Sequence, residues 1–199
     1  MVGIGFAMLG IGAWSLFAET GGDIGFSSSW KAGIAALQAK VINRAVDPSN
    51  ENSSLFTGKS DLYNLNFVWK WSPQGNLVNT NFKLQGEYFW REEDGQLDAA
   101  SYSGDQSGWY LQGFWQFKPQ WRIGYRHDQV RADNNYVDGI LLEARNNTTY
   151  RNSLIVEWAN SEFSRIRLQL NAGQSELEND NRWILQYLHS LGAHGAHRF

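Results

Sequence analysis

The chain has 199 residues, a formal charge of −3, 42% hydrophobic residues and a mean hydropathy of −0.46. It contains no run approaching the roughly 20 apolar residues that a membrane helix needs, which excludes helical spans. A transmembrane β-barrel stays open, because its alternating segments of about 10 residues and its polar lumen lower the average hydropathy.

Ten Trp, 8 Tyr, 11 Phe, 20 Gly, 3 Pro and no Cys suit an aromatic-rich all-β chain of the bacterial envelope that needs no disulfide. Nine strands are predicted, near 10–25, 30–43, 60–72, 79–91, 106–118, 121–132, 151–160, 163–173 and 182–191. The opening run, MVGIGFAMLGIGAWSLFAET, reads either as a signal-peptide core or as part of a strand. No basic residue precedes it, and the small-x-small cleavage pattern is poor at Leu16, Phe17 and Ala18, which favours the strand. As a signal it would leave eight strands, enough to close a small barrel with a packed interior.

From residue 60 onward apolar and polar residues alternate with the period of a two-faced strand. Residues 60–72 set Tyr63, Leu65, Phe67, Trp69 and Trp71 against Asn64, Asn66 and Lys70. Residues 79–91 set Phe82, Leu84, Tyr88 and Trp90 against Lys83, Gln85, Glu87 and Arg91. Trp109, Leu111, Trp115 and Phe117 oppose Tyr110, Gln112 and Gln116, and Trp121, Ile123 and Tyr125 oppose Arg122, Arg126 and Asp128. Leu154, Val156 and Trp158 oppose Ser153 and Glu157; Ile166, Leu168 and Leu170 oppose Arg165, Arg167 and Gln169. The last segment places Trp183, Leu185 and Tyr187 opposite Gln186.

Short turn-like links at 27–29, 72–76, 118–120 and 159–162 alternate with longer polar links at 44–60, 92–105, 132–150 and 174–181. Outer-membrane barrels sort their connections this way, with tight periplasmic turns and long external loops. Trp71, Phe82, Phe117, Trp121 and Trp158 lie beside the short turns, and Trp90, Trp109 and Trp183 lie near the long links. Two aromatic belts of this kind mark the two membrane interfaces, whereas a sandwich core would gather its rings mid-strand. The expected fold is therefore one domain, 1–199, an antiparallel up-and-down transmembrane β-barrel. Nine strands with a periplasmic C-terminus place the N-terminus outside, so the chain is expected to be the C-terminal part of a longer barrel.

Parity assigns Lys70, Lys83, Glu87, Arg91, Arg122, Arg126, Asp128, Glu157, Arg165, Arg167 and Arg182 to the lumen, with cations in excess. The long links carry Glu51, Glu92, Glu93, Asp94, Asp98, Asp105, Asp133, Asp138, Glu143, Glu176, Glu178 and Asp180. An acidic mouth concentrates cations, and a basic wall favours anions or hydrogen-bonds sugar-like solutes. The same inward charges can instead pair across strands and plug the interior. His189, His194 and His197 in the tail HSLGAHGAHRF are the candidate zinc ligands, although no carboxylate or Cys accompanies them at a fixed short spacing. The acidic stretch EEDGQLDAASYSGDQSG lacks the spacing of a calcium loop. No nucleophile elbow, H-E-x-x-H or phosphate loop is present, so the chain reads as a non-enzyme, with His127 and Asp128 the place to look otherwise. Acidic links and lipid-facing aromatics disfavour nucleic acid.

Six stretches, GAWSLFAETGGDIGFSSSWKAGI, NFVWKWSPQGN, NFKLQGEYFWREEDG, GDQSGWYLQGFWQFKPQWRIGYRHD, EWANSEFSRIRLQLN and LQYLHSLGAHGAHRF, carry a family resemblance over nearly the whole chain. They resemble the C-terminal half of a group of proteobacterial outer-membrane proteins often labelled zinc-regulated or TonB-dependent receptors. The resemblance implies a barrel whose earlier strands are missing here, with GAWSLFAETGGDIGFSSSW as a strand and turn. It also implies Phe199 as the terminal aromatic that addresses the chain to the barrel-assembly machinery, a link to zinc, and an energy-coupling partner if the barrel is of receptor type. The function expected is uptake or passage of a small solute through an outer-membrane barrel with acidic external loops and a basic lumen. The rival expectation is a structural barrel whose loops bind a surface partner or lipopolysaccharide.

Overall fold

The computed structural model describes residues 2–8, 12–46, 49, 53–138, 141–161, 163–174 and 179–190. Ten strands follow one another in a single sheet: β1 (Val2–Met8), β2 (Ala13–Ile24), β3 (Ser28–Ala45), β4 (Leu55–Trp71), β5 (Asn81–Leu97), β6 (Ala100–Lys118), β7 (Trp121–Asp138), β8 (Leu141–Ser161), β9 (Ser164–Gln174) and β10 (Asn179–His189). Spatial order equals chain order and every neighbouring pair is antiparallel. The fold is thus an all-β up-and-down sheet, with no α-helix among the described residues and one 3-10 turn at Pro73–Gly75. The sheet is open, since β1 and β10 stand at its two edges with one strand neighbour each.

The strand count is ten where nine were expected, because Val2–Met8 is a strand of its own, paired with residues 14–20 of β2. Its sequence, VGIGFAM, has no polar residue to mark an alternation. The long polar links are also largely strand. Residues 92–97 continue β5 and 100–105 begin β6, leaving a two-residue turn at 98–99. Likewise β7 runs to Asp138 and β8 starts at Leu141. Outside the apolar band both faces of a strand meet polar surroundings, so alternation fades while the hydrogen-bond ladder continues. Asp98 takes a left-handed conformation, φ 52, at the β5–β6 turn and its carboxylate accepts the Leu55 N–H at 2.8 Å. That bond and the Ser54 side chain hold the Asp98 carboxyl below the usual carboxylate range.

The short links gather at the opposite end of the sheet. Gly25 supplies the positive φ, 64, of the β2–β3 turn. Ser72 ties two of these turns together, donating its N–H to Ser27 O at 2.8 Å and its hydroxyl to Thr80 O at 3.2 Å.

Register gives the sheet two faces. One row across β3 to β10 reads Trp30, Trp69, Leu84, Gly113, Tyr125, Leu154, Leu170, Trp183. The neighbouring row on the other face reads Lys31, Val68, Gln85, Gln112, Arg126, Ser153, Asn171, Arg182. The apolar face is the exposed one, with Ile34, Leu65, Leu111, Trp115, Tyr125 and Leu185 all open. The polar face holds the buried residues, including Ser60, Glu93, Gln116, Ser153, Ile155 and Glu157.

The tightest packing lies on the polar face at the far end, away from the short turns. Phe56 is 1% exposed and meets the Tyr102 ring edge-on at 5.4 Å between centroids. Its ring lies over Gly58, which pairs with Gly95 on the next strand. A Cβ at Gly58 would stand 2.9 Å from the Phe56 ring and 2.3 Å from a backbone oxygen, so glycine is required there. A bulge between Val41 and Arg44, with Asn43 at φ 53 bonded to Thr57, shifts the parity of β3 and brings Arg44 onto this face. The Arg44 guanidinium then sits 5.0 Å from the Phe56 ring centroid. Phe56→Ala should cost about 3–5 kcal/mol of unfolding free energy, because it empties a site boxed by Tyr102, Arg44 and the glycine pair. Denaturant titration of the refolded chain measures it, and a loss below about 1 kcal/mol would show that this end is not a core.

Candidate functional site

The eleven charged residues assigned inward by parity all fall on the polar face: Lys70, Lys83, Glu87, Arg91, Arg122, Arg126, Asp128, Glu157, Arg165, Arg167 and Arg182. The ladder adds Glu19, Asp23, Lys31, Arg44, Glu93 and Arg151, which sequence reading missed. Glu19, Asp23 and Lys31 lie among Gly, Ala and Ser, where alternation is weak. Arg44 lies beyond the bulge, and Glu93 lies in a stretch read as loop.

These charges are layered along the strands. At the short-turn end one row runs Gln116, Arg122, Glu157, Arg167, Gln186. Glu157 is almost fully buried and accepts Arg167 Nε at 2.7 Å and Nη2 at 2.5 Å. Arg165 Nη1 stands 3.9 Å from its other oxygen. Arg122 Nε donates to Gln116 Oε1 at 2.8 Å, and Gln116 Nε2 donates to Val78 O at 2.6 Å. One layer further on, Lys70 lies directly opposite Lys83.

The middle of the face is mixed. Glu19, Asn66, Glu87, Tyr110, Asp128 and Arg151 share one row. Lys31 reaches Glu19 at 2.7 Å and Arg126 reaches Asp128 at 2.5 Å. Arg126 also stacks 3.8 Å from the Tyr110 ring centroid, and the Tyr110 hydroxyl donates to Glu87 Oε1 at 2.8 Å. At the far end Arg44 makes a two-bond fork to Glu93, 2.7 and 3.0 Å, and Ser60 donates to the same carboxylate at 2.9 Å. Arg91 donates to Gln106 and approaches Glu93 at 3.7 Å. Burial pushes the Glu93 carboxyl up, but the bonds from Arg44 and Ser60 and the charges of Arg91 and Arg44 outweigh it and hold it below the usual glutamate range.

The apolar face carries the predicted aromatics in two bands. Trp71, Phe82 and Trp115 share a row, with Phe117 at a bulge beside Trp115 and Trp121 opposite Trp158. The other band contains Tyr63 stacked on Trp90 at 4.8 Å, with Tyr88 opposite Trp109. Eight positions separate the bands on β4 and β5, from Tyr63 to Trp71 and from Phe82 to Trp90. Trp183 departs from its expected place near a long link, since its row contains Leu84 and Trp69 and lies close to the short turns. Beyond the second band, Asp61, Glu92, Asp105 and Asp133 stand in one row on this same face. The acids read as loop residues are thus mostly strand residues, with Glu93 on the polar face and Asp98 at the β5–β6 turn, and Glu51, Glu176 and Glu178 lie outside the described residues.

His127 lies on the apolar face, its Nδ1 2.8 Å from Asn152 Oδ1, while Asp128 points to the polar face, so the two cannot act as a dyad. Of the zinc candidates, His189 ends β10 with its ring 6.2 Å from that of Tyr187. His194, His197 and Phe199 lie outside the described residues. Among the described residues no three His, Cys, Asp or Glu side chains converge as metal ligands.

No family profile matches the chain, and no solved structure does. It is similar to an uncharacterized protein of Aquifex aeolicus (strain VF5), 28% identical over an alignment of 193 residues, with 92% of this chain and 40% of that protein covered. The chain therefore spans less than half the length of this relative.

Glu93 contributes stability that is complete above the unfolded-state pKa of glutamate, about 4.3, and is lost as pH falls through the lower folded-state value. Acidification from about pH 7 to about pH 3 should therefore lower the unfolding free energy of the wild type more than that of Glu93→Gln. Parallel pH profiles in denaturant titrations would show that the Arg44 fork does not hold this carboxylate.

Proposed function

We propose that the chain forms part of the wall of a β-barrel in a bacterial outer membrane, and that a small polar solute passes along its charged face. The carrying observation is the inverted sheet, with an exposed apolar face bounded by two aromatic bands and a buried face lined with charge. Eight positions correspond to about 26 Å along a strand, or about 20 Å at a tilt of about 40°, close to the apolar band of about 25 Å in such barrels. Strands of 17 to 21 residues exceed the 9–11 or so needed to cross, so the far ends of β4 to β8 would stand clear of the lipid. In hydrocarbon the outer edges of β1 and β10 need partners, which closure with further strands of a longer barrel would supply. The greater length of the Aquifex aeolicus relative supports that closure.

On this reading the solute is selected by charge and no bond chemistry is required. At the outer rim Asp61 and Asp133 pair with Lys59 and Arg131 at 2.6 and 2.8 Å, and Glu92 and Asp105 between them supply the acidic charge that attracts cations, including zinc, beside the phosphate-rich lipopolysaccharide layer. The layered lumen then sorts what enters, with carboxylates midway and cations toward the periplasmic end. Partners on this view are outer-membrane lipid, the barrel-assembly machinery and, for gated uptake, an energy-coupling protein. A second reading, a closed structural barrel that binds surface partners, draws support from the paired Glu157–Arg167 and Glu93–Arg44 side chains that fill the same face.

Leu111 on the apolar face and Asn66 on the polar face stand at nearly the same height, which provides a direct test of the lipid assignment. Leu111→Lys should cost about 2–4 kcal/mol in vesicles, as for a lysine at the bilayer midplane, and Asn66→Lys, beside Glu87, well under half of that. Equal losses in urea titrations from lipid vesicles would remove the assignment. In planar bilayers the whole gene product, with the strands that close the barrel, should give discrete conductance steps whose reversal potential reports the ion preference. A correctly inserted but silent barrel would exclude open passage and favour the structural or gated reading.

A further inference from the structure

At the short-turn end of the polar face a cavity of about 240 Å³ opens between the β6–β7 turn, the start of β9 and the end of β10. Arg122, Glu157, Ser161, Ser164, Arg165 and His189 are among the residues that line it. Its charge is unbalanced. Arg167 takes up Glu157 through Nε and Nη2, on the same oxygen. Arg165 is left at 3.9 Å with its side chain 47% exposed. Arg122 spends its Nε on the neutral Gln116, and among the described residues Glu157 is the one carboxylate lining the cavity. Two guanidinium heads therefore face a space that also presents the Ser161 and Ser164 hydroxyls, 3.2 Å apart. Guanidinium groups match the planar, doubly accepting edge of a carboxylate or phosphate, and hydroxyls complete its hydrogen bonds.

We infer that this cavity binds the oxyanion head, phosphate or carboxylate, of a small anionic solute at the periplasmic mouth of the lumen. The inference rests on the transport reading and narrows its solute to an anion. Lys70 and Lys83, one layer further along the same face, form the next cationic station, so the anion is handed between sites of moderate strength instead of being trapped at one.

Equilibrium dialysis of inorganic phosphate against the full-length chain, in detergent free of phospholipid, tests the site without requiring transport. Saturable binding that malonate displaces is expected, weakened roughly ten-fold or more by Arg165→Gln and by Arg122→Gln, and less by Arg165→Lys, which keeps the charge but not the fork. Lys118→Gln, exposed at the same end but outside the cavity, should leave binding unchanged. Absence of saturable binding by the wild type, or an equal loss in Lys118→Gln, overturns the site. Conductance measured in parallel keeps the two readings apart: a silent barrel that still binds phosphate supports the site and removes open passage, whereas a conducting barrel blind to phosphate does the reverse.

Discussion

Backbone hydrogen bonding between neighbouring strands is the constraint on which everything else in this protein depends. Nine antiparallel ladders run almost without slippage, and the pleat sends alternate residues to opposite sides. A one-residue slip in any ladder would move charged side chains among the aromatics. Because the register holds from β3 to β10, rows such as Trp69, Leu84, Gly113 and Tyr125 form a continuous surface. The charged rows beside them are equally continuous, and the division of labour between faces follows from that continuity alone.

Where the ladder does slip, it slips usefully. The bulge in β3 reverses parity beyond Asn43, and the reversal carries Arg44 to a carboxylate two strands away. Glu93 is thereby desolvated and satisfied at once, by a fork from Arg44 and a hydroxyl from Ser60. A buried carboxylate without such partners is costly, so this cluster and the Phe56–Tyr102 contact depend on one another. A second bulge, between Gln116 and Lys118, leaves Phe117 without a partner in the β6–β7 ladder, its ring 5.9 Å from that of Trp115.

The polar face resembles the core of a water-soluble protein in its burial but not in its chemistry. Its members are satisfied chiefly by each other: Arg167 with Glu157, Arg126 with Asp128 and Tyr110, Lys31 with Glu19. Cations are in excess at the short-turn end, where Arg122 and Arg165 outnumber the carboxylate near them. An apolar face left exposed and a charged face turned inward make sense together when the outer solvent is lipid and the inner one is water. The transport reading and the anion site both build on that inversion.

Much of this architecture was legible in the chain. Alternation of period two over residues 60–91 and 107–128 determined strand type and sorted the charged residues by face, because that periodicity is local and needs no partner. It failed where alternation is absent: Val2–Met8 is apolar throughout, residues 92–96 are polar or Gly at every position, and residues 132–150 carry no regular alternation, so strands there looked like part of a longer run or like loops. Tertiary pairing alone decided that Trp183 sits near the short turns, that Arg44 reaches Glu93, and that Arg122, Glu157 and Arg165 meet around one cavity. The physical reason is that parity assigns a face, whereas height along the sheet comes from interstrand register, which is fixed only when each strand has hydrogen-bonded to its neighbour.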